Sequence, residues 1–119
     1  MPRTQPERCD DIVQSCDAIL GAVNGHNDKV FLASPALQAS CNYWLIVAGE
    51  AANALLSGSA VAVAGHGGTL ASDLSNAKRL RDRLAHRYYT VDPAIVWSTI
   101  QSDLQRLAQD IAKLQARLP

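Results

Sequence analysis

Aromatic side chains are scarce in this chain: one Phe, two Trp and three Tyr make up 5% of its 119 residues. Since 48% of the residues are nonetheless hydrophobic, the core has to be aliphatic and alanine-rich, a mix that favours helix over sheet. Net charge is missing too. Eleven basic side chains balance eleven acidic ones, which excludes a surface coated in nucleic acid and leaves any RNA contact to a local patch. Cysteine pairing is absent as well. Cys9, Cys16 and Cys41 make no Cys-x-x-Cys spacing, and Cys9 and Cys16 on one helix would stand roughly 10 Å apart, too far to bridge. An odd count without metal-ligand spacing fits a reducing compartment. No apolar run is long and clean enough to span a bilayer, because Glu50 and Asn53 interrupt the best candidate, and residues 1–6 carry no apolar signal core. The expectation is one soluble domain over residues 1–119, cytoplasmic and without membrane contact.

What the chain does have is helical periodicity. Ile12, Cys16, Ile19, Leu20 and Val23 form an apolar stripe, predicting a helix from about Pro6 that Asn24-Gly25-His26-Asn27 ends. His26 reads as a solvated loop residue. Residues 28–32 predict a short turn. Ser34 then caps a second long helix opened by Pro35 and running to about Leu56. Its face of Leu37, Cys41, Trp44, Leu45, Ala48, Ala52 and Leu55 is broad enough to be buried on most sides, in its own core or against a second subunit. Glu50 interrupts that face and is expected either to pair with Arg81 or to face solvent.

Residues 57–68 (SGSAVAVAGHGG) read as a low-complexity connection, compatible with a short helix or with a mobile link, and expected to be the most mobile part of the chain. His66 within it has no second ligand at useful spacing and reads as a loop residue. A third long helix from Thr69 or Ser72 carries Leu70, Leu74, Ala77, Leu80 and Leu84, with Asp73 early and arginines late, as its dipole prefers. Asp92 caps a last helix begun by Pro93. There Trp97, Ile100, Leu104, Leu107, Ile111, Leu114 and Leu118 recur at spacings of three and four, the mark of a helix lying along a neighbour. The fold class is all-α, an up-down bundle of four main helices.

The chemistry gathers at the end of the third long helix. Lys78, Arg79, Arg81, Arg83 and Arg87 surround a single acid, Asp82, and make an anion-binding surface in a chain of zero net charge. Asp82 and His86 lie one turn apart on the same helix face, so the carboxylate can orient the imidazole. Arg81 and His86 differ by about 140° around the axis and do not converge on one phosphate within one chain. They can converge where two copies of the stretch meet about a two-fold axis, which predicts a homodimer. Histidine suits proton transfer near neutral pH, and arginine grips phosphate as a charged fork. The same residues also fit an ordinary basic last turn that complements a helix dipole.

Arg81-Asp82, His86 and Tyr88 spell Arg-polar-x-x-x-His-x-Tyr, which resembles the signature of the HEPN superfamily. The run from Arg81 to Asp92 and then Ile95-Val96-Trp97-Ser98-Thr99-Ile100 resembles its HepT branch. So do Glu7-Arg8-Cys9-Asp10-Asp11-Ile12 and Ala48-Gly49-Glu50-Ala51-Ala52-Asn53. The resemblance implies a HEPN-like helical fold, dimeric with a composite cleft. It also implies a metal-independent endoribonuclease toxin that needs no cofactor, paired with a minimal nucleotidyltransferase antitoxin. By the same resemblance the catalytic residues are Arg81, His86 and Asp82, and RNA is bound by Arg79, Arg83, Arg87 and Tyr88. The antitoxin would transfer AMP to Tyr88, with Tyr89 as a fallback acceptor. The alternative is a non-catalytic helical partner of such a nucleotidyltransferase. The chain departs from the family pattern at Asp82, where asparagine is usual, and at Arg87, where glycine is usual. It also lacks a Pro-Trp stretch before the third long helix.

Overall fold

The first helix starts on a reciprocal pair. The Thr4 hydroxyl accepts the Glu7 amide at 3.2 Å, and the Glu7 carboxylate accepts the Thr4 amide at 2.8 Å, satisfying two donors that a helix end leaves open. In the computed structural model, which describes residues 2–119, this opens α1 (Gln5–Val23). It is followed by α2 (Asp28–Leu32), α3 (Pro35–Gly58), α4 (Ala60–His66), α5 (Leu70–His86) and α6 (Pro93–Gln115). A 3-10 turn at Tyr88–Thr90 links the last two. The described residues contain no strand. The fold is all-α, and α1, α3, α5 and α6 are the four main helices that the periodicity predicts.

Caps fix most boundaries. Ser34 Oγ accepts the Leu37 amide at 3.1 Å ahead of α3, and Asp92 Oδ1 accepts the Ala94 amide at 2.9 Å ahead of α6. Asn27 does the same for α2, accepting the Val30 amide at 3.0 Å, so the expected turn is a short capped helix. Its Phe31 is fully buried, with its ring 5.3 Å from that of Trp97.

Helix α3 is the centre of the bundle. It packs against α1 on one side and α5 on the other, while α6 lies along α1 and touches α5 little. Ala48, Gly49, Ala51 and Ala52 are buried along α3, so its neighbours approach over small side chains. The aliphatic core expected from composition joins Ile12, Cys16 and Ile19 of α1 to Leu55, Leu70 and Leu74, and to Ile100, Leu107, Ile111 and Leu114 of α6. All three cysteines lie in it as free thiols. No single helix is long and apolar enough to cross a membrane; only α3 and α4 taken together pass that test, and they are bent by 99°.

One segment takes the more ordered of its two expected forms. Residues 57–68 contain the helix α4, anchored by the buried Val63 and by a Ser59 hydroxyl that donates to Gln5 Oε1 at 2.7 Å. His66 is correspondingly not a loop residue. It ends α4 half-buried, with Nε2 3.4 Å from the Asp110 carboxylate and Nδ1 receiving Arg117, because α4 turns the chain back towards α6. Gly67 and Gly68 then take positive φ, 76° and 58°, and release the chain into α5. Asp73, expected to serve the dipole of α5, does more. It is buried, takes the Thr69 hydroxyl at 2.9 Å, and receives Arg106 of α6 as a fork at 2.9 and 3.0 Å.

Candidate active site

Arg81 is set by α3. Gly49 presents no side chain, and the stem of Arg81 lies across it, with the Ala77 carbonyl in the same contact. From there the guanidinium reaches Glu50 Oε1 through Nη2 at 2.9 Å and Asp82 Oδ1 through Nη1 at 2.8 Å. Those two bonds, Asp82 first and Glu50 second, raise its pKa further above the ordinary arginine value. Its Nε is buried with no acceptor. Both readings of Glu50 are met at once: it pairs with Arg81 and is 56% exposed.

Asp82 therefore spends its carboxylate on Arg81, and the imidazole of His86 makes no hydrogen bond among the described residues. His86 is the exposed last residue of α5. The basic side chains around it are exposed as well. Arg79 bonds Asn76 on its own helix, while Arg83 Nη2 reaches the Thr90 carbonyl at 2.7 Å and ties the 3-10 turn to α5. The Arg87 carbonyl accepts the Thr90 hydroxyl at 2.7 Å, closing the same turn. On it Tyr88 and Tyr89 are 72% and 76% exposed, their rings edge to face at 5.9 Å.

Two cavities flank this stretch. A polar one of about 210 Å³ is lined by Arg8 of α1, Glu50, Asn53 and Ala54 of α3, and Arg81 of α5. A more apolar one of about 350 Å³ opens where α5 and α6 part, between Leu45, Leu80, Ile95 and Leu104, with Arg79 and Arg83 at its wall. His86 lines neither. Within one chain, then, Arg81 and His86 do not share a cavity, in keeping with their angular separation on the helix. Among the described residues no three or more His, Cys, Asp or Glu side chains group closely enough to hold a metal ion.

Reasoning from sequence passed over Arg8 and Asn53. The signal for Arg8 is its place along α1. It stands one turn from Ile12 on the flank of an apolar stripe, where a cation is held half-buried.

A helical bundle with arginine and histidine in the last turns of the helix before its final one, and an exposed tyrosine two residues on, is the arrangement of a HEPN-class protein. The chain belongs to the HepT-like family, described as ribonuclease HepT-like, whose model matches residues 12–114. Comparisons with curated proteins and with solved structures return no match. At the level of the family, the activity is that of a HEPN-type ribonuclease.

Proposed function

We propose that the chain is a metal-independent endoribonuclease toxin, acting as a homodimer and neutralised by a minimal nucleotidyltransferase antitoxin through binding, AMPylation of Tyr88, or both. The observation that carries this reading is the pairing, on one family-matched helix, of an arginine whose stem is packed over Gly49 with an imidazole left free one turn and a half later. Arg81 holds the scissile phosphate and offsets the charge that builds on it. His86 takes the proton of the ribose 2′-OH as the 2′ oxygen bonds to phosphorus. The bond to the 5′ oxygen breaks, and that oxygen leaves with a proton from the partner's His86. The products are a 2′,3′-cyclic phosphate and a 5′-hydroxyl. Two copies are needed because one chain keeps Arg81 and His86 in separate surroundings. Arg79, Arg83, Arg87 and Tyr88 lie exposed on the same end of α5, placed to follow the RNA backbone.

A second reading draws on a specific contact. Arg81 already holds two carboxylates, which suits a helical partner of a nucleotidyltransferase that binds without cutting. Inducible expression of the wild type and His86→Ala, with RNA integrity followed over time, separates the two. Cleavage and growth arrest in the wild type alone are expected, and the purified protein should cut in EDTA. Intact RNA in both arms leaves the binding partner.

A further inference from the structure

The polar cavity holds a cation that the mechanism above does not use. Arg8 is half-buried, yet it has no ion-pair partner among the described residues, because the acids near it on α1 are engaged elsewhere. Asp11 takes Arg3 as a fork at 2.7 and 2.8 Å, Glu7 takes the Thr4 amide and stands 4.0 Å from Arg3, and Asp10 takes the Gln115 amide at 2.7 Å. A cation that lines a cavity and has no anion paired to it is free to take one from outside. The cavity it lines holds further donors. Asn53 offers its amide, and Arg81 lines the cavity from the third side.

We propose that Arg8 is a substrate-binding residue, which with Asn53 and Arg81 seats the RNA backbone phosphate beside the scissile one. The charge fits. Arg81 is shared between Glu50 and Asp82, so Arg8 is the cavity's cation without an ion pair among the described residues, and a phosphodiester offers it one negative charge. Size and lining fit as well. A cavity of about 210 Å³ has room for a phosphate and its ester oxygens. No aromatic ring lines the cavity, so a nucleobase would find nothing to stack on. The seat also joins three helices, since Arg8 comes from α1, Asn53 from α3 and Arg81 from α5. Bound RNA would therefore brace α5 against the other two. This assignment rests on the ribonuclease reading.

The test is made in full-length His86→Ala protein, so that RNA is bound and not cut, with a fluorescent single-stranded RNA of mixed sequence as probe. Anisotropy is measured across a salt series for Arg8 unchanged, Arg8→Gln and Arg8→Lys. Each phosphate contact on a single strand adds about 0.7 to the slope of log affinity against log salt. Arg8→Gln should weaken binding and flatten that slope by about 0.7, whereas Arg8→Lys should keep the slope and lose affinity through the missing fork. If Arg8→Gln fails to fold by circular dichroism, Arg8→Lys alone decides, and affinity equal to that of the parent overturns the assignment. Undiminished binding by both variants overturns the role of Arg8 and leaves the ribonuclease reading standing. Absence of RNA binding by the parent, with no cleavage by the wild type, sinks both.

Discussion

Gly49 and Arg81 share one space: a β-carbon built at position 49 would fall 2.1 Å from Arg81 Cβ and 2.7 Å from the Ala77 carbonyl oxygen. Neither obstacle is a flexible tip, since one is the root of a side chain and the other is backbone. Helices α3 and α5 must therefore part before any side chain fits. Gly49→Ala is expected to cost about 1–3 kcal/mol, as overpacking of a tight contact does, and to lower RNA cleavage by moving Arg81 away from Glu50. Urea titration gives the first quantity, and cleavage measured well below the melting temperature gives the second. Unchanged stability would mean that the two helices are not in register at this point.

The Asp73–Arg106 fork joins α5 to α6, and its two halves are unequally buried: the Asp73 side chain is 8% exposed and that of Arg106 42%. Removing Arg106 strands a buried carboxylate, whereas removing the charge of Asp73 frees an arginine that can turn to Asp103 or to water. Arg106→Ala should thus destabilise more than Asp73→Asn. Thermal melts of the two variants at neutral pH check the order.

Burial pushes the Cys16 thiol up to about 12 and the Cys9 thiol up to about 11, with the neighbouring Asp17 and Asp10 adding to the rise. Both should be inert to a thiol reagent until the chain unfolds. In the unfolded chain they ionise near the ordinary value of 9.0, so above that pH it is the unfolded state that loses protons first. Their contribution to stability is complete below about pH 9 and is lost as the pH climbs towards 12. Cys16→Ala should flatten that alkaline decline, measured by denaturant titration between pH 8 and 11.

Tyr88 stands exposed beside Arg83 and Arg87, on a turn tied to α5. Under the proposed function, a nucleoside monophosphate on its hydroxyl would place a phosphodiester among the cations proposed to hold RNA and a base in the proposed path of the strand. Incubation with the cognate nucleotidyltransferase and ATP should add one AMP per chain, located at Tyr88 by peptide fragmentation and at Tyr89 in Tyr88→Phe. No gain in mass, or equal neutralisation of a Tyr88→Phe toxin that still cuts, leaves binding as the means of control.

Much of the architecture was written in local pattern. The stripes of α1, α5 and α6 and the caps at Ser34 and Asp92 announce themselves through residues three and four apart. The Thr4–Glu7 capping box was equally local and would have set the start of α1 one residue earlier. Less legible was α4, whose alanines, valines and glycines carry no strong period and whose helicity comes from docking Val63 and Ser59. The site was legible as a list and not as an arrangement. The pairing of Glu50 with Arg81 was one of two readings the sequence left open, and the 2.9 Å bond between them meets it. That Asp82 turns to Arg81 rather than to His86 is a choice between neighbours at one and four residues' remove, which periodicity does not decide. Arg8 and Asn53 meet Arg81 only because three helices cross, and no local pattern encodes a crossing.

The contrast between Arg81 and His86 bears on how such a protein changes over generations. Arg81 is held by the architecture, its stem filling the space over Gly49 and its head joining two carboxylates, so selection for a folded chain preserves it whatever the chain does. His86 is exposed, with no hydrogen bond among the described residues, so under the proposed function it is only its chemistry that would retain it. A lineage released from cutting RNA would lose the histidine early and keep the arginine long afterwards. Among descendants of this chain, an arginine at position 81 would testify to the fold, and a histidine at position 86 to the reaction.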